Sequence, residues 1–156
     1  MIISVIGESQ STKTNTALAF EVGRLLAVSG VSLVCGGLGG IMEAACHGSK
    51  SEGGMTIGIL PGFNPNEGNA WVDIPICTGL GYARNIIVVR SGLAVIAIGG
   101  AYGTLSEISN ALAENKSVIG LNTWELRKNG NIDSGIIISK DPEDAVRKAI
   151  SESKRN

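Results

Sequence analysis

Residues 32–45 read SLVCGGLGGIMEAA, and they join a short apolar run to an amphipathic segment through four glycines. The apolar run, 32–35, has the length and composition of a buried strand, and residues 40–52 have the spacing of a helix. A strand, a glycine-rich loop and a helix in this order are typical of α/β proteins with parallel sheets. We therefore predict that strands and helices alternate along the chain.

The same alternation continues on both sides of that segment. Strands are predicted at 2–6, 32–35, 55–60, 72–77, 93–98, 117–121 and 135–138, helices at 15–29, 40–52, 81–91, 104–115 and 141–153, and a polar loop at 122–134. The strands are continuous apolar runs, which indicates a sheet covered on both faces. We predict a single domain, 1–156, with a three-layer α/β/α, doubly wound, mostly parallel, Rossmann-like sheet.

Composition limits the partners of the chain. Its 13 Lys and Arg balance 14 Asp and Glu, so no broad basic surface for nucleic acid is expected. No apolar run approaches the length of a membrane span, and no signal peptide is visible, so we expect a cytoplasmic protein without a membrane partner. Cys35, Cys46 and Cys77 lack CxxC spacing and are expected to be reduced thiols, and the single His47 argues against a metal site.

Ligands of open α/β sheets bind at the carboxyl ends of the strands, so the loops that follow the strands are the candidate site. The first of these loops, Gly7 to Thr14, nearly matches a Walker A motif, but Thr12 stands where the second glycine belongs. We interpret it as a polar loop in which Gly7 and Ser9 line a ligand pocket. An ordinary strand-to-helix turn is the alternative.

Two further loops are rich in glycine and each opens a helix, where amide groups and the helix dipole favour an anion. The loop within 35–43 is not a dinucleotide fingerprint, because Met42 occupies the third glycine position. We predict phosphate between the helix starts at Gly39-Gly40 and Gly103-Thr104; tight strand–helix packing is the alternative. The candidate binding residues of these two loops are Gly36, Gly37, Gly39, Gly40, Met42, Gly99, Gly100, Tyr102, Gly103 and Thr104.

Two charged residues are candidates for chemistry. Thr104-x-x-Glu107 matches the capping-box motif, so one interpretation is that both residues cap the N-terminus of a helix. The other reading places the Glu107 carboxylate beside a phosphate-bound sugar. Arg84 lies near a predicted helix start, where a cation opposes the dipole, so it needs another partner. A phosphate or Glu107 could be that partner. The alternative is that Arg84 lies at the surface with its side chain in solvent.

The three segments GGLGGIM (36–42), Arg84-Asn85 and GGAYGTLSE (99–107) resemble, in this order and spacing, the LOG-like Rossmann superfamily. The superfamily includes LONELY GUY cytokinin phosphoribohydrolases and molybdenum cofactor carrier proteins. The similarity is greater to the carrier branch, because Gly99 stands at the Pro of the enzymes' P-G-G-[FY]-G-T motif. Arg84 and Glu107 match the catalytic arginine and glutamate of the enzymes.

The resemblance implies a protein that binds a phosphorylated, nucleotide-like or molybdopterin-like small molecule, with molybdenum cofactor carriage or storage as the nearest role. The alternatives are a nucleoside 5'-monophosphate phosphoribohydrolase of the cytokinin-activating type and a nucleotide-sensing module. The ligand would be molybdenum cofactor or a nucleotide monophosphate, and no cofactor would be required. A homodimer or homotetramer is implied, and the apolar run at 86–89 is consistent with such an interface.

Overall fold

The computed structural model describes residues 1–155 and contains a seven-stranded sheet whose neighbouring strands are all parallel. The sheet strands are β1 (Ile2–Gly7), β2 (Ser32–Cys35), β3 (Thr56–Leu60), β4 (Ile74–Cys77), β5 (Val95–Gly99), β6 (Val118–Thr123) and β9 (Ile136–Ile138). Their order in the sheet is β4-β3-β2-β1-β5-β6-β9. This order confirms the predicted Rossmann-like fold.

Five α-helices cover both faces of the sheet. They are α1 (Lys13–Val28), α2 (Ile41–Ser51), α3 (Asn85–Ser91), α4 (Tyr102–Ala113) and α5 (Pro142–Glu152). Helices α1, α2 and α5 pack over one buried cluster, and α3 and α4 pack over the other. The central strands supply fully buried Val, Ile and Leu to both clusters, which explains why their apolar runs do not alternate. None of the helices in residues 1–155 has both the length and the apolar character needed to cross a membrane.

The strand order reverses between β1 and β5. From β1 the chain adds β2, β3 and β4 on one side, and then crosses back to place β5 on the other side of β1. The connections after β1 and β5 therefore diverge, and a crevice opens at the carboxyl ends of these strands. Gly7 ends β1 and Gly99 ends β5, so both glycine-containing loops border this crevice.

Several element boundaries differ from the sequence prediction. Helix α4 begins at Tyr102 with Ala101 as its N-cap, so Thr104 lies in its first turn and Glu107 in its second. The capping-box reading of Thr104 and Glu107 is therefore wrong. The predicted helix 81–91 is a 3-10 turn, Gly81–Arg84, followed by α3.

The segment predicted as a polar loop, 122–134, contains a small antiparallel hairpin of β7 (Arg127–Lys128) and β8 (Asn131–Ile132). Asn129 and Gly130 connect its strands, and both have positive φ, at 52° and 82°. This backbone conformation is the one that two-residue hairpin turns require, and an Asn-Gly pair adopts it readily.

Helices α1 and α2 approach so closely that their backbones touch through two glycines. A Cβ at Gly48 would overlap the carbonyl oxygen of Phe20, and one at Gly23 would overlap that of Ala45.

We expect Gly48→Ala to lower the free energy of unfolding by about 2 kcal/mol, because the helices must move apart. Urea titration measures it. Gly103→Ala is the control, since a Cβ there meets no atom within 4 Å, and it should not destabilise the protein.

Candidate ligand-binding site

Two adjoining cavities occupy the crevice between β1 and β5. The first, here called the Arg84–Glu107 cavity, has a volume of about 420 Å³. The second, here called the Trp124 cavity, has a volume of about 740 Å³. Glu8, Ser9 and Ala101 line both cavities, so a single ligand could extend through the two. The Arg84–Glu107 cavity is also lined by Ile6, Gly7, Gly36, Leu38, Met42, Pro61, Gly81, Tyr82, Asn85, Gly103 and Thr104.

Arg84 is buried at the base of the first cavity. Its side chain Nη2 donates a hydrogen bond to the Gly36 carbonyl oxygen at 3.1 Å, and Nη1 lies 3.8 Å from Oε1 of Glu107. Gly36 makes this position available, because a Cβ there would overlap the guanidinium group. The Nε atom of Arg84 is buried without a hydrogen-bond partner among the described residues. Arg84 is thus not a solvated surface residue, and one expected partner, Glu107, lies beside it.

Glu107 points into the same cavity from the second turn of α4, with only 6% of its surface exposed. Burial raises the pKa of this carboxyl group to about 7, although the positive charge of Arg84 opposes the increase. Burial also lowers the pKa of Arg84. A carboxyl group with a pKa near neutrality can both donate and accept a proton, so the pair has the chemistry of a general acid or base.

The N-termini of α2 and α4 both face this cavity. Neither helix has a side chain that caps its first turn, because the N-cap residues are Gly40 and Ala101. Met42 of α2 and Gly103 and Thr104 of α4 line the cavity at these first turns. The first amides of a helix have no partner within it, and they carry the positive end of the helix dipole. The first amide of α2, that of Ile41, donates to the Glu8 carbonyl oxygen at 3.1 Å. An anion in this cavity would therefore meet the remaining first-turn amides of the two helices and a buried guanidinium.

The side chain of Glu8, which follows β1, fills the loop that follows β5. The sequence predicts that an external ligand binds in that loop. Oε2 of Glu8 accepts a hydrogen bond from the amide of Gly100, and its Oε1 accepts one from Nδ2 of Asn15 at 3.3 Å. Gly99 has a φ of 58°, and a Cβ there would press on Glu8 and Asn15. Gly99 and Gly100 therefore hold a carboxylate of the chain itself, and they border the Trp124 cavity instead of the Arg84–Glu107 cavity.

Other predicted residues shape the loops without lining the cavities. Gly37 has a φ of 72° and packs against Leu60, and Gly40 packs against the carbonyl groups of Glu8 and Ser9. For these two glycines the tight-packing alternative describes their contacts. Gly39 and Tyr102 line neither cavity, and Tyr102 is 82% exposed.

The structure adds to the site residues that the sequence prediction does not include among the binding residues, notably Glu8, Asn15, Asn122 and Trp124. Asn122 has a φ of 51°, and its Nδ2 donates to Oδ1 of Asn15 at 2.6 Å. Glu8, Asn15 and Asn122 thus form a connected polar network. Their positions in the sequence could have predicted this, since Glu8 directly follows β1 and Asn122 lies at the carboxyl end of β6, where ligands of such sheets bind.

In residues 1–155 no three His, Cys, Asp or Glu side chains are grouped so as to hold a metal ion.

The crevice at a strand-order reversal, bordered by the N-termini of α2 and α4, defines a Rossmann-like α/β domain. A model of the SLOG cluster4 family matches residues 1–146, so the chain belongs to that family. This agrees with the resemblance to the LOG-like superfamily.

Known proteins are similar to this chain over nearly its whole length. An uncharacterized protein of Archaeoglobus fulgidus is 42% identical over 153 residues, which cover 98% of this chain and 97% of the relative. The structure of the molybdenum cofactor binding protein from Rippkaea orientalis superposes with a TM-score of 0.87 and 40% sequence identity. The match covers 96% of this chain and 95% of that protein's chain. The molybdenum cofactor carrier protein from Chlamydomonas reinhardtii has a TM-score of 0.84 and 31% identity, with 99% of both chains covered.

Proposed function

We propose that this protein binds and carries a phosphorylated small molecule of the nucleotide or molybdopterin type, with molybdenum cofactor as the specific cargo. The observation that carries the proposal is the convergence of two helix N-termini, neither capped by a side chain, on the cavity that holds Arg84. Helix ends of this kind are ready-made phosphate sites. The specific cargo is supported by the likeness to proteins described as molybdenum cofactor binding and carrier proteins.

The residues present fit a phosphate. The amides near Met42, Gly103 and Thr104 would hold its oxygens, and Arg84 supplies the one cationic side chain among the lining residues. Its unpartnered Nε offers a further donor. Native mass spectrometry of freshly purified protein tests the proposal. We expect a co-purifying phosphorylated small molecule, and a protein free of any such molecule that also fails to bind added nucleotides or molybdopterin would contradict it.

A second candidate function is hydrolysis of nucleoside 5'-monophosphates to free base and ribose phosphate. The observation that favours it is the buried Arg84–Glu107 pair, in which burial raises the pKa of Glu107 to about 7. In such a reaction Glu107 would orient water or stabilise positive charge on the sugar, and Arg84 would position Glu107 or the ribose.

Incubation with adenosine and cytokinin monophosphates separates the two functions. For a carrier we expect no free base, and Glu107→Ala should alter affinity alone. For a hydrolase, base should appear, and Glu107→Ala should abolish its release while binding stays within about tenfold, because the helix ends hold the phosphate. Chromatography of the base measures the outcome, and the exposed Glu125→Ala is the matched control. Turnover that Glu107→Ala removes would overturn the carrier role.

We also propose that the protein is a cytoplasmic homo-oligomer, dimer or tetramer. The apolar run at 86–89 gives less support than expected, because Val88 and Val89 are fully buried in the chain's own core. Support comes instead from the edge strand β4, where Ile74 and Ile76 are 45% and 44% exposed. Light scattering that gives the 16.1 kDa mass of one chain would contradict an oligomer.

A further inference from the structure

The Trp124 cavity has a composition that differs from that of the phosphate site. No Lys or Arg lines it, and it contains the carboxylate of Glu8 and the side-chain amides of Asn15 and Asn122. Its remaining lining residues are Ser9, Gln10, Gly99, Gly100, Ala101, Thr123 and Trp124. An anionic group would meet Glu8 there without a compensating cation, so the cavity is unsuited to a second phosphate.

The carboxylate of Glu8 retains capacity to accept hydrogen bonds. Its two oxygens offer about four acceptor positions, of which the Gly100 amide and Asn15 Nδ2 use two. Among the residues that the structure describes, no Lys, Arg or His lies within ion-pair distance of Glu8. The contacts with Gly100 and Asn15 fix the carboxylate in place at the border of the cavity. It is therefore prepared to accept two parallel N–H donors from a ligand.

Trp124 supplies an aromatic wall beside this carboxylate. Its ring centre lies 6.0 Å from that of Tyr102, and the two planes are inclined by 35°. The indole Nε1 is buried and has no hydrogen-bond partner in residues 1–155. A buried donor without an acceptor is uncommon in folded proteins. The cavity thus combines apolar aromatic surface with a fixed carboxylate, which suits a flat, donor-bearing ring.

We propose that the Trp124 cavity binds the heteroaromatic base of the ligand, and that Glu8 selects bases with adjacent ring N–H and exocyclic amino donors. Guanine and pterins share this donor pair, whereas adenine places an unprotonated ring nitrogen beside its amino group. The inference rests on the proposed function, since the phosphate of the same ligand would lie in the Arg84–Glu107 cavity. Glu8, Ser9 and Ala101 border both cavities and connect the two subsites.

Calorimetric titration with GMP, IMP and AMP tests the selectivity without any variant. We expect GMP to bind at least about tenfold more tightly than AMP, because a site built for two donors leaves its carboxylate unpaired with adenine. IMP, which keeps the ring N–H and lacks the amino group, should fall between them. Equal affinity for GMP and AMP would overturn the proposal.

The role of Glu8 is tested by Glu8→Gln, in which one acceptor oxygen is replaced by a donor. The preference for GMP over AMP should then disappear. Glu125→Gln removes a carboxylate next to Trp124 that does not line the cavity, and it should leave the preference unchanged. Thermal unfolding of each variant shows whether it folds. A folded Glu8→Gln variant that keeps the preference would contradict the assignment.

Ligands without phosphate separate this inference from the proposed function. Guanosine and 6-hydroxymethylpterin should each bind more tightly than adenosine, and the better of the two identifies the source of the base. Ribose 5-phosphate reports on the phosphate subsite alone. If ribose 5-phosphate binds but guanosine, 6-hydroxymethylpterin and adenosine do not differ, the base subsite is refuted and the phosphate site stands. If guanosine is preferred but ribose 5-phosphate does not bind, the phosphate site is refuted instead.

Discussion

Gly103→Asp should weaken the binding of a phosphorylated ligand by about 100-fold while making the folded protein slightly more stable. Gly103 lies in the first turn of α4 and lines the Arg84–Glu107 cavity, and a Cβ there meets no atom within 4 Å. The Cβ of an aspartate at this position would therefore meet no overlap. Its carboxylate would interact with the uncapped helix end and repel a phosphate from the same place.

The two effects have opposite signs, and this distinguishes competition for the site from damage to the fold. We expect the free energy of unfolding to rise by about 0.5 kcal/mol, since glycine is a poor helix former and an acid favours a helix N-terminus. Gly103→Asn has nearly the same shape without the charge and should retain affinity within about threefold. Titration with ribose 5-phosphate and urea unfolding provide both values. If the Asp and Asn variants bind equally well, no phosphate lies at this helix end.

Glu107→Gln should remove a pH dependence of stability of about 3 kcal/mol between pH 4.5 and 7. Burial raises the pKa of Glu107 from 4.5 in the unfolded chain to about 7 in the folded protein. The folded state consequently binds more protons than the unfolded state across this interval. The stability that belongs to protonated Glu107 is complete below pH 4.5 and is lost as the pH rises through 7.

Urea unfolding from pH 5 to 8.5 measures this effect as the difference between the native protein and Glu107→Gln. Carboxyl groups such as Asp144, whose pKa is lowered to about 2 by its lysine and arginine neighbours, titrate below this range and are common to both proteins. The stability of the native protein should fall relative to the variant as the pH rises. Glu125→Gln should follow the native curve. Parallel curves for the native protein and Glu107→Gln would show that Glu107 is not buried.

The sequence predicted the fold well because its decisive signals are local. The apolar runs that form β2 and β5 are each followed by glycines and a helix, and this order is sufficient to indicate a parallel α/β sheet. Pro75 lies in β4 at the edge of the sheet, where a residue without an amide N–H is tolerated. The last helix also begins at a local signal, because the Asp141 side chain caps it by accepting a hydrogen bond from the Asp144 amide.

The arrangement of the site could be predicted only in part, because it depends on contacts between distant residues. Glu8 and Gly100 are 92 residues apart, and nothing in the local sequence shows that a carboxylate of the first loop fills the loop after β5. The sequence predicts that α4 begins at Thr104, two residues after its observed start at Tyr102, because Gly103 in the first turn resembles loop sequence. Arg84 was correctly suspected of needing a partner, but its burial against Gly36 follows from the packing of separate strands and turns.

The proposed function requires one phosphate to bind between the N-termini of α2 and α4, and a crystal structure with a bound nucleoside monophosphate tests this most directly. We expect the phosphate in the Arg84–Glu107 cavity, with its oxygens within hydrogen-bond distance of first-turn amides of both helices, near Met42 and Thr104. A phosphate found elsewhere, whether on the protein surface or against Gly100 with Glu8 displaced, would contradict the claim.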